Sequence, residues 1–324
     1  MKLLRSIALT SACLLALSFS TLTQAQGSYP DKPISIWIGF PPGTSTDSVG
    51  RILADKMSKD LGQPIIIKNK PGVGGTLAPA EVAKSQPDGY TLLLATSSTN
   101  VANPYLYKKV GFDPIKDFTP VASVAMLSSV LVVPTSSPFK SPKDIIAAAQ
   151  AAPGTLLYGS GGVGASAHLA GELFNSVSKI DITHVPYKGS GPALTDVMGG
   201  QINMMFDTGA FPHIKGGKIR ALAVAAEKRH PLIPDVPTFE ELGIKGMIMN
   251  AWYGVAAPAG TPAAVVAKVN QAVEHALKSG ELSKRLTDIG AEVRGGTPEA
   301  FATFWRNELV RYEKLVKLTG ASLD

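Results

Sequence analysis

Residues 34–53 read ISIWIGFPPGTSTDSVGRIL, and residues 157–174 read LYGSGGVGASAHLAGELF. Each runs from an apolar strand, through a turn rich in glycine and hydroxyl residues, into a segment with apolar positions at helical spacing. In the first copy Ile34 to Phe40 is the strand and PPGTSTD (41–47) the loop. Val49, Ile52, Leu53, Met57 and Leu61 then form the buried stripe of a helix that Gly62 ends. Displacing the chain by 121 residues lays Gly43 on Gly164, Ser45 on Ser166, Gly50 on Gly171 and Leu53 on Phe174. The shared order of strand, loop and helix implies two similar halves, with their loops gathered at the carboxyl ends of strands, where open α/β sheets bind ligands.

Working outward, PIIIKN (64–69) and YTLLLAT (90–96) read as further strands around a helix near Ala78 to Lys84. In the second half a strand near Ile182 to Val185, a helix near Pro192 to Met198 and INMMFDT (202–208) continue the alternation. This is the pattern of parallel sheets covered by helices, so the fold class is α/β. VASVAMLSSVLVVP (121–134) is longer than an ordinary strand of about five or six residues and reads as a crossing between lobes. MIMNAWYGVAAP (247–258) reads as the return. The expected organisation is lobe 1 over 26–125 and 252–324, and lobe 2 over 126–251. Two C-terminal helices are predicted, each opened by a threonine cap and a proline, at Thr261-Pro262 and Thr297-Pro298.

Residues 1–25 are a different kind of segment. Lys2 and Arg5 precede an uncharged apolar run from about Ile7 to Phe19, followed by Thr23-Gln24-Ala25, the pattern of a secretory leader cleaved after about Ala25. The run is short for a membrane-spanning helix. Cys13, the one cysteine, lies inside it, so the exported chain has no disulfide and no thiolate for catalysis or zinc, which suits a bacterial-type periplasm. Without Lys2 and Arg5 the formal charge falls from +6 to +4, and no basic run interleaved with aromatics supports nucleic-acid binding. At 45% hydrophobic and 17% charged over 324 residues, disorder is excluded.

The chemistry lies in the two loops. A helix start leaves about four amide donors unpaired and carries roughly half a positive charge, favouring a carboxylate or phosphate. Glycine lets a ligand approach, and Thr44, Ser45, Thr46, Ser160 and Ser166 add hydroxyls that rotate toward an anion. TSSTN (96–100) brings further hydroxyls to the same edge. For any one loop the alternative is that these residues cap their own helices, with Asp47 the clearest candidate cap because its charge would repel an anion. Four hydrogen bonds to a charged group give roughly 6 to 12 kcal/mol gross. Micromolar binding corresponds to about 8 kcal/mol, so dipoles and lobe closure together suffice without an arginine.

Enzyme readings fare less well. Gly159, Gly161 and Gly164 match GxGxxG, yet Asp181, the candidate ribose ligand, opens its strand instead of ending it. GVGAS (162–166) lacks the glycine that follows the nucleophile in GxSxG, and His168 stands two residues past Ser166, a spacing that points helical side chains apart. His168 reads more readily as a capping or packing residue. The histidines at 168, 184, 213, 230 and 275 have no metal-ligand spacing, so neither a metal nor a cofactor is called for. An exported α/β hydrolytic enzyme and a ligand-sensing partner of a membrane signalling protein stand as alternatives.

Several stretches in order carry a resemblance: YPDKPI, the P-G-x-x-x-D loop, NKPGVGG, GVGASAHLAGELF, HVPYKGSGPALTDVMGG, MFD, IRALAVAAEKRHPLIPDVPTFEELG and WYGVAAPAGTP. Together they cover nearly all of the exported chain and resemble the Bug-type periplasmic receptors of tripartite tricarboxylate transporters. The resemblance implies a two-lobed Venus-flytrap receptor, type II-like, without enzymatic activity. Its implied partners are a small carboxylate solute and inner-membrane permease subunits, and it is expected to be a monomer. It also implies a ligand site built from Phe40, Pro42, Gly43, Thr44, Ser45, Thr46 and Asp47 in the first lobe, with Ser97 and Ser98 adjoining. From the second lobe it implies Ser160, Gly161, Gly162, Val163, Gly164, Ala165, Ser166, His168 and Asp207. Thr44 departs from the second glycine many relatives have there, adding a methyl and a hydroxyl that narrow the pocket or supply a donor. Candidate ligands are di- and tricarboxylates, acidic amino acids and aromatic carboxylates.

Overall fold

Two mixed sheets, joined by strands that cross between them, organise residues 29–319, the residues described by a computed structural model. The leader expected over 1–25 lies outside the described residues. β1 (Ile34–Ile38), β2 (Ile65–Asn69) and β3 (Thr91–Thr96) are parallel and connected by α1 (Ser45–Leu61) and α2 (Leu77–Val82); a π-helical turn, Ser98–Ala102, and the short α3 (Asn103–Leu106) follow. β4 (Phe118–Ser128) belongs to the first sheet and β5 (Val130–Pro134) to the second. The second lobe adds α4 (Pro142–Ala151), β6 (Leu157–Ser160), α5 (Ser166–Ser178), β7 (Thr183–Pro186), α6 (Ser190–Met198), β8 (Met204–Asp207), α7 (Phe211–Lys215) and β9 (Ile219–Val224). β10 (Asn250–Pro258) returns, and α8 (Ala263–Lys278), α9 (Gly280–Asp288), β11 (Ala291–Val293) and α10 (Pro298–Thr319) complete the first lobe.

The strand orders are β11-β4-β10-β3-β1-β2 and β7-β6-β8-β5-β9. The expectation of parallel sheets needs correcting. β10 is antiparallel to both β3 and β4, and β5 to both β8 and β9. A strand arriving from the other lobe enters at the edge where β1 to β3 end, so it runs against them. The long apolar run 121–134 spans both sheets, with buried Ser129 at the changeover, where its N–H donates to Met249 O and its carbonyl accepts from Ala225 N. The crossing strands stay paired to the last register, Asn250 against Ser128, so first-sheet pairing reaches a few residues past 125 and resumes just before 252.

The repeated unit is physical. Gly43 and Gly164 adopt φ of +82° and +81°, and Ser45 and Ser166 each open a helix. A Cβ at Gly50 would meet Ile38 Cδ1 at 2.6 Å, and one at Gly171 the Tyr158 ring at 2.2 Å, so in each copy glycine lets the helix lie directly on the preceding strand. The C-terminal region differs from expectation in having a third helix, α9, whose sequence is mostly polar and which buries only Leu282 and Leu286. Thr297 caps α10, accepting from Ala300 N. Thr261 does not cap α8: its hydroxyl donates backward to Pro258 O, and Pro262 takes the cap position.

Candidate functional site

The loops after β1, β3, β6 and β8 and the middle of β10 surround one cavity of about 50 Å³. α1 and α5 start on it from opposite lobes. The N–H groups of Ser45 and Thr46 on α1, and of Ser166 and Ala167 on α5, occupy the first two helical positions, where no earlier carbonyl exists to receive them. Among the described residues they find no protein acceptor. A third helix start joins them, since Ser190, the first residue of α6, also lines the cavity. Five amide donors therefore face a space that no lysine or arginine side chain lines among the described residues. Converging dipole ends are strong attractors for an anion.

Of the residues read from the sequence, Phe40, Thr44, Ser45, Thr46, Ser97, Ser98, Gly161, Ala165, Ser166 and Asp207 line this cavity. Ser97 Oγ is fully buried without a hydrogen-bond partner. Thr44 contributes shape more than a donor: its hydroxyl donates to Pro41 O and accepts from Asp47 N, capping α1. Ser45 Oγ lies 3.2 Å from Tyr253 OH and 3.3 Å from Thr208 Oγ1, which binds the first lobe to the second.

The structure turns the remaining predicted residues away from the cavity, each for a local reason. Pro42 and Gly43 are exposed at the outside of the turn. Asp47 is buried and points back at its own loop, accepting from Gly43 N at 2.9 Å, Asn69 Nδ2 at 2.9 Å and Arg51 Nε at 2.8 Å. Burial pushes its carboxyl up, but the Arg51, Gly43 and Asn69 bonds outweigh this and hold it below the usual range. Ser160 Oγ is 2.6 Å from His184 Nε2 and accepts from Gly162 N, which pins the second loop from behind. Gly164 N donates to His168 Nδ1, so His168 ties down the loop ahead of α5 instead of meeting Ser166. His168 and His184 lie 4.2 Å apart with their rings tilted by 30°, and burial lowers them to about 4 and about 3, His184 further by its neighbour, so both are neutral. Gly162 and Val163 face an adjoining outer chamber.

Thr96, from the TSSTN stretch expected at this edge, and Ala167, inside the second loop's range, also line the cavity, whereas Ser190, Thr208, Ala251 and Tyr253 line it and escaped the sequence reading of the site. Ser190 and Tyr253 lie within the quoted stretches HVPYKGSGP and WYGV, but only the three-dimensional crossing brings them to the loops. A register shift between Tyr253 and Gly254 bends β10 at this point, where the tyrosine lines the cavity. Asp207, at the end of β8, is the one acidic residue on the cavity among the described residues. Its Oδ1 accepts from Gly209 N. Burial lifts its carboxyl to about 6, with the Gly209 amide opposing.

Two lobes joined by crossing strands, with helix starts from both meeting on one hydroxyl-bearing cavity, define a solute-binding receptor of the periplasmic-binding-protein kind. Residues 49–321 match the family model described as tripartite tricarboxylate transporter family receptor, and the chain belongs to that family. It is 35% identical to protein BugT of Bordetella pertussis over 298 residues, covering 91% of each chain. Among solved structures it is similar to R. palustris Rpa4515 with adipate, at 36% identity and TM-score 0.87, covering 90% of this chain and 98% of that one. It is likewise similar to MatC from Rhodopseudomonas palustris with bound malate, at 37% identity and TM-score 0.85, covering 89% and 100%. The family and these neighbours are solute-binding proteins, and the fold is theirs.

Proposed function

We propose that this chain captures a small carboxylate-bearing solute between its lobes in the periplasm and delivers it, as a monomer, to the inner-membrane permease subunits of a tripartite transporter, with no chemical step of its own. The observation that carries this is the set of unpaired amides at Ser45, Thr46, Ser166 and Ala167, two from each lobe, aimed at one cavity without a basic side chain. Such a set recognises a carboxylate by hydrogen bonds that carry their own partial charge. Binding favours the closed arrangement, in which both pairs reach the same anion, over open states of the free protein. Adipate and malate, named for two relatives, support dicarboxylates as the first ligands to try; tricarboxylates, acidic amino acids and aromatic carboxylates complete the panel. The lobes of this reading are 26–125 with 252–324, and 126–251, and the export signal is residues 1–25.

A thermal-shift panel of mono-, di- and tricarboxylates tests the reading. At least one is expected to raise the melting temperature at saturation, and native mass spectrometry of freshly purified protein is expected to reveal a bound carboxylate. A rise with a sugar or nucleotide but with no carboxylate overturns the proposal. So does turnover of a ligand that is lost on replacing Ser166 or Asp207.

A further inference from the structure

A second chamber adjoins the amide-lined cavity. It is a half-open groove of about 660 Å³, against about 50 Å³ inside, and shares two wall residues with it, Phe40 and Gly161. Its other walls come from both lobes: Pro41, Val73 and Tyr107 from the first, Val163 and Tyr187 from the second. No acidic residue lines it among the described residues, and Lys188 is its single charged one. Tyr107 OH donates to Val163 O at 3.4 Å, so the lobes touch at its wall.

Val73 is the unusual wall residue. Its φ is +48°, a left-handed conformation that disfavours a β-branched side chain, and it is 51% exposed. Glycines on either side, Gly72, Gly74 and Gly75, also have positive φ, and Asn103 Nδ2 donates to Gly74 O, fixing the turn. An apolar side chain held exposed in a strained backbone at a ligand clamp points to a contact formed only when something fills the chamber.

Resting on the carboxylate reading above, we infer that the outer chamber receives the apolar body of the solute, so that the preferred ligands carry a ring or a comparable hydrocarbon group behind the carboxylate. The size comparison supports this. An apolar cavity of about 150 Å³ holds benzene, while one ordered water needs about 10 to 15 Å³. The inner cavity therefore takes a carboxylate and little more. A ring attached to it projects past Phe40 and Gly161 into the chamber, where Val73, Tyr107, Val163 and Tyr187 exclude water around it.

Isothermal titration of the intact protein with propionate and with 3-phenylpropionate, which differ only by the ring, tests the inference. The phenyl compound is expected to bind at least tenfold more tightly. Val73→Trp, which fills the chamber from its rim, is expected to remove that gain and to leave propionate within about twofold. Pro71→Trp, at an exposed wall position without positive φ, serves if Val73→Trp folds poorly. Equal or weaker binding of the phenyl compound, or a gain that survives both fillings, overturns the inference while propionate binding leaves the carboxylate reading standing. Failure of both acids, and of the carboxylate panel, overturns the two together.

Discussion

Ser45 Oγ, at the first position of α1, lies 3.3 Å from Thr208 Oγ1, just past the end of β8, so a hydroxyl pair joins the two lobes directly beside the amide-lined cavity. The same Ser45 hydroxyl is 3.2 Å from Tyr253 OH on the crossing strand. On the proposed function, closure and ligand capture are expected to be coupled at this residue. Thr208→Val keeps the shape and removes the cross-lobe bond, at a cost of about 1 kcal/mol. Affinity for a carboxylate found by the thermal-shift panel is expected to fall about fivefold with the melting temperature of the free protein nearly unchanged. Small-angle scattering is expected to show compaction on saturation in the parent chain, and a constant radius of gyration would contradict the closing lobes.

Asp207 sets the pH dependence of binding. Its carboxyl titrates at about 6 because it is buried, and an anion entering the same cavity favours its protonated form further. Affinity for a carboxylate is therefore expected to rise as pH falls from 7 toward 5, and Asp207→Asn is expected to bind with a flat profile over that range. For stability the sign is that of a raised folded-state value: the contribution is present below about 3.8 and lost as pH rises through about 6. Calorimetric titration at several pH values measures the first effect, and melting temperature at neutral pH, expected to rise in Asp207→Asn, the second.

The two loops, their helices and the crossing run were legible because they obey local rules. Glycine is required where φ is positive at Gly43 and Gly164, and apolar spacing marks the faces of α1 and α5. What was illegible is direction. Nothing in PPGTSTD says that Asp47 turns back to Asn69 and Arg51, or in GVGASAH that His168 meets Gly164 N and the ring of His184. Those orientations depend on partners brought in by the fold, Asn69 at 22 residues from Asp47 and His184 at 16 from His168, and on burial against another element. Ser190, Thr208 and Tyr253 were missed for the same reason, since sheet order and a bulge bring them to the cavity.

The neighbouring rings of His168 and His184 are expected to make the second loop acid-sensitive. Both are neutral in the fold, with values lowered by burial to about 4 and about 3, whereas an unfolded histidine titrates near 6.5. The stabilisation is fully present above about 6.5 and is lost as pH falls toward 4 and 3. Each proton gained only by the unfolded chain gives a slope of up to about 1.4 kcal/mol per pH unit. Chemical denaturation between pH 7 and 4 is expected to show this decline. His184→Gln, which retains a polar atom near Ser160, is expected to flatten it.

Asp47 is expected to act on stability first. Its carboxylate is held by the Gly43 amide, Asn69 and Arg51, and the value is lower in the fold than in the unfolded chain, so its stabilisation is present above about 3.8 and lost as pH falls below that. Asp47→Asn leaves these donors less well matched, at a cost of about 1 to 3 kcal/mol. The measurement is denaturant midpoint at pH 7 in parallel with carboxylate affinity. A large loss of affinity at unchanged stability would instead make Asp47 a direct ligand contact.

The two packing glycines of the repeated unit predict unequal tolerance. At Gly50 an added Cβ meets the ends of Ile38 and Leu94, at 2.6 and 3.3 Å, both flexible aliphatic tips. At Gly171 it meets three atoms of the Tyr158 ring at 2.2 to 2.7 Å, and that ring is fully buried, bonded through its hydroxyl to Glu172 and His168 O, and stacked on His184. A ring so held has nowhere to move without disturbing the histidine that contacts Ser160. Gly50→Ala is therefore expected to be near neutral, the strain offset by the helix preference of alanine, about 1 kcal/mol. Gly171→Ala is expected to lose about 1 to 3 kcal/mol from overpacking and to weaken carboxylate binding through the second loop. Equal denaturation midpoints for the two variants would show that the Tyr158 ring yields as easily as the Ile38 tip, and that the second loop is not buttressed through it.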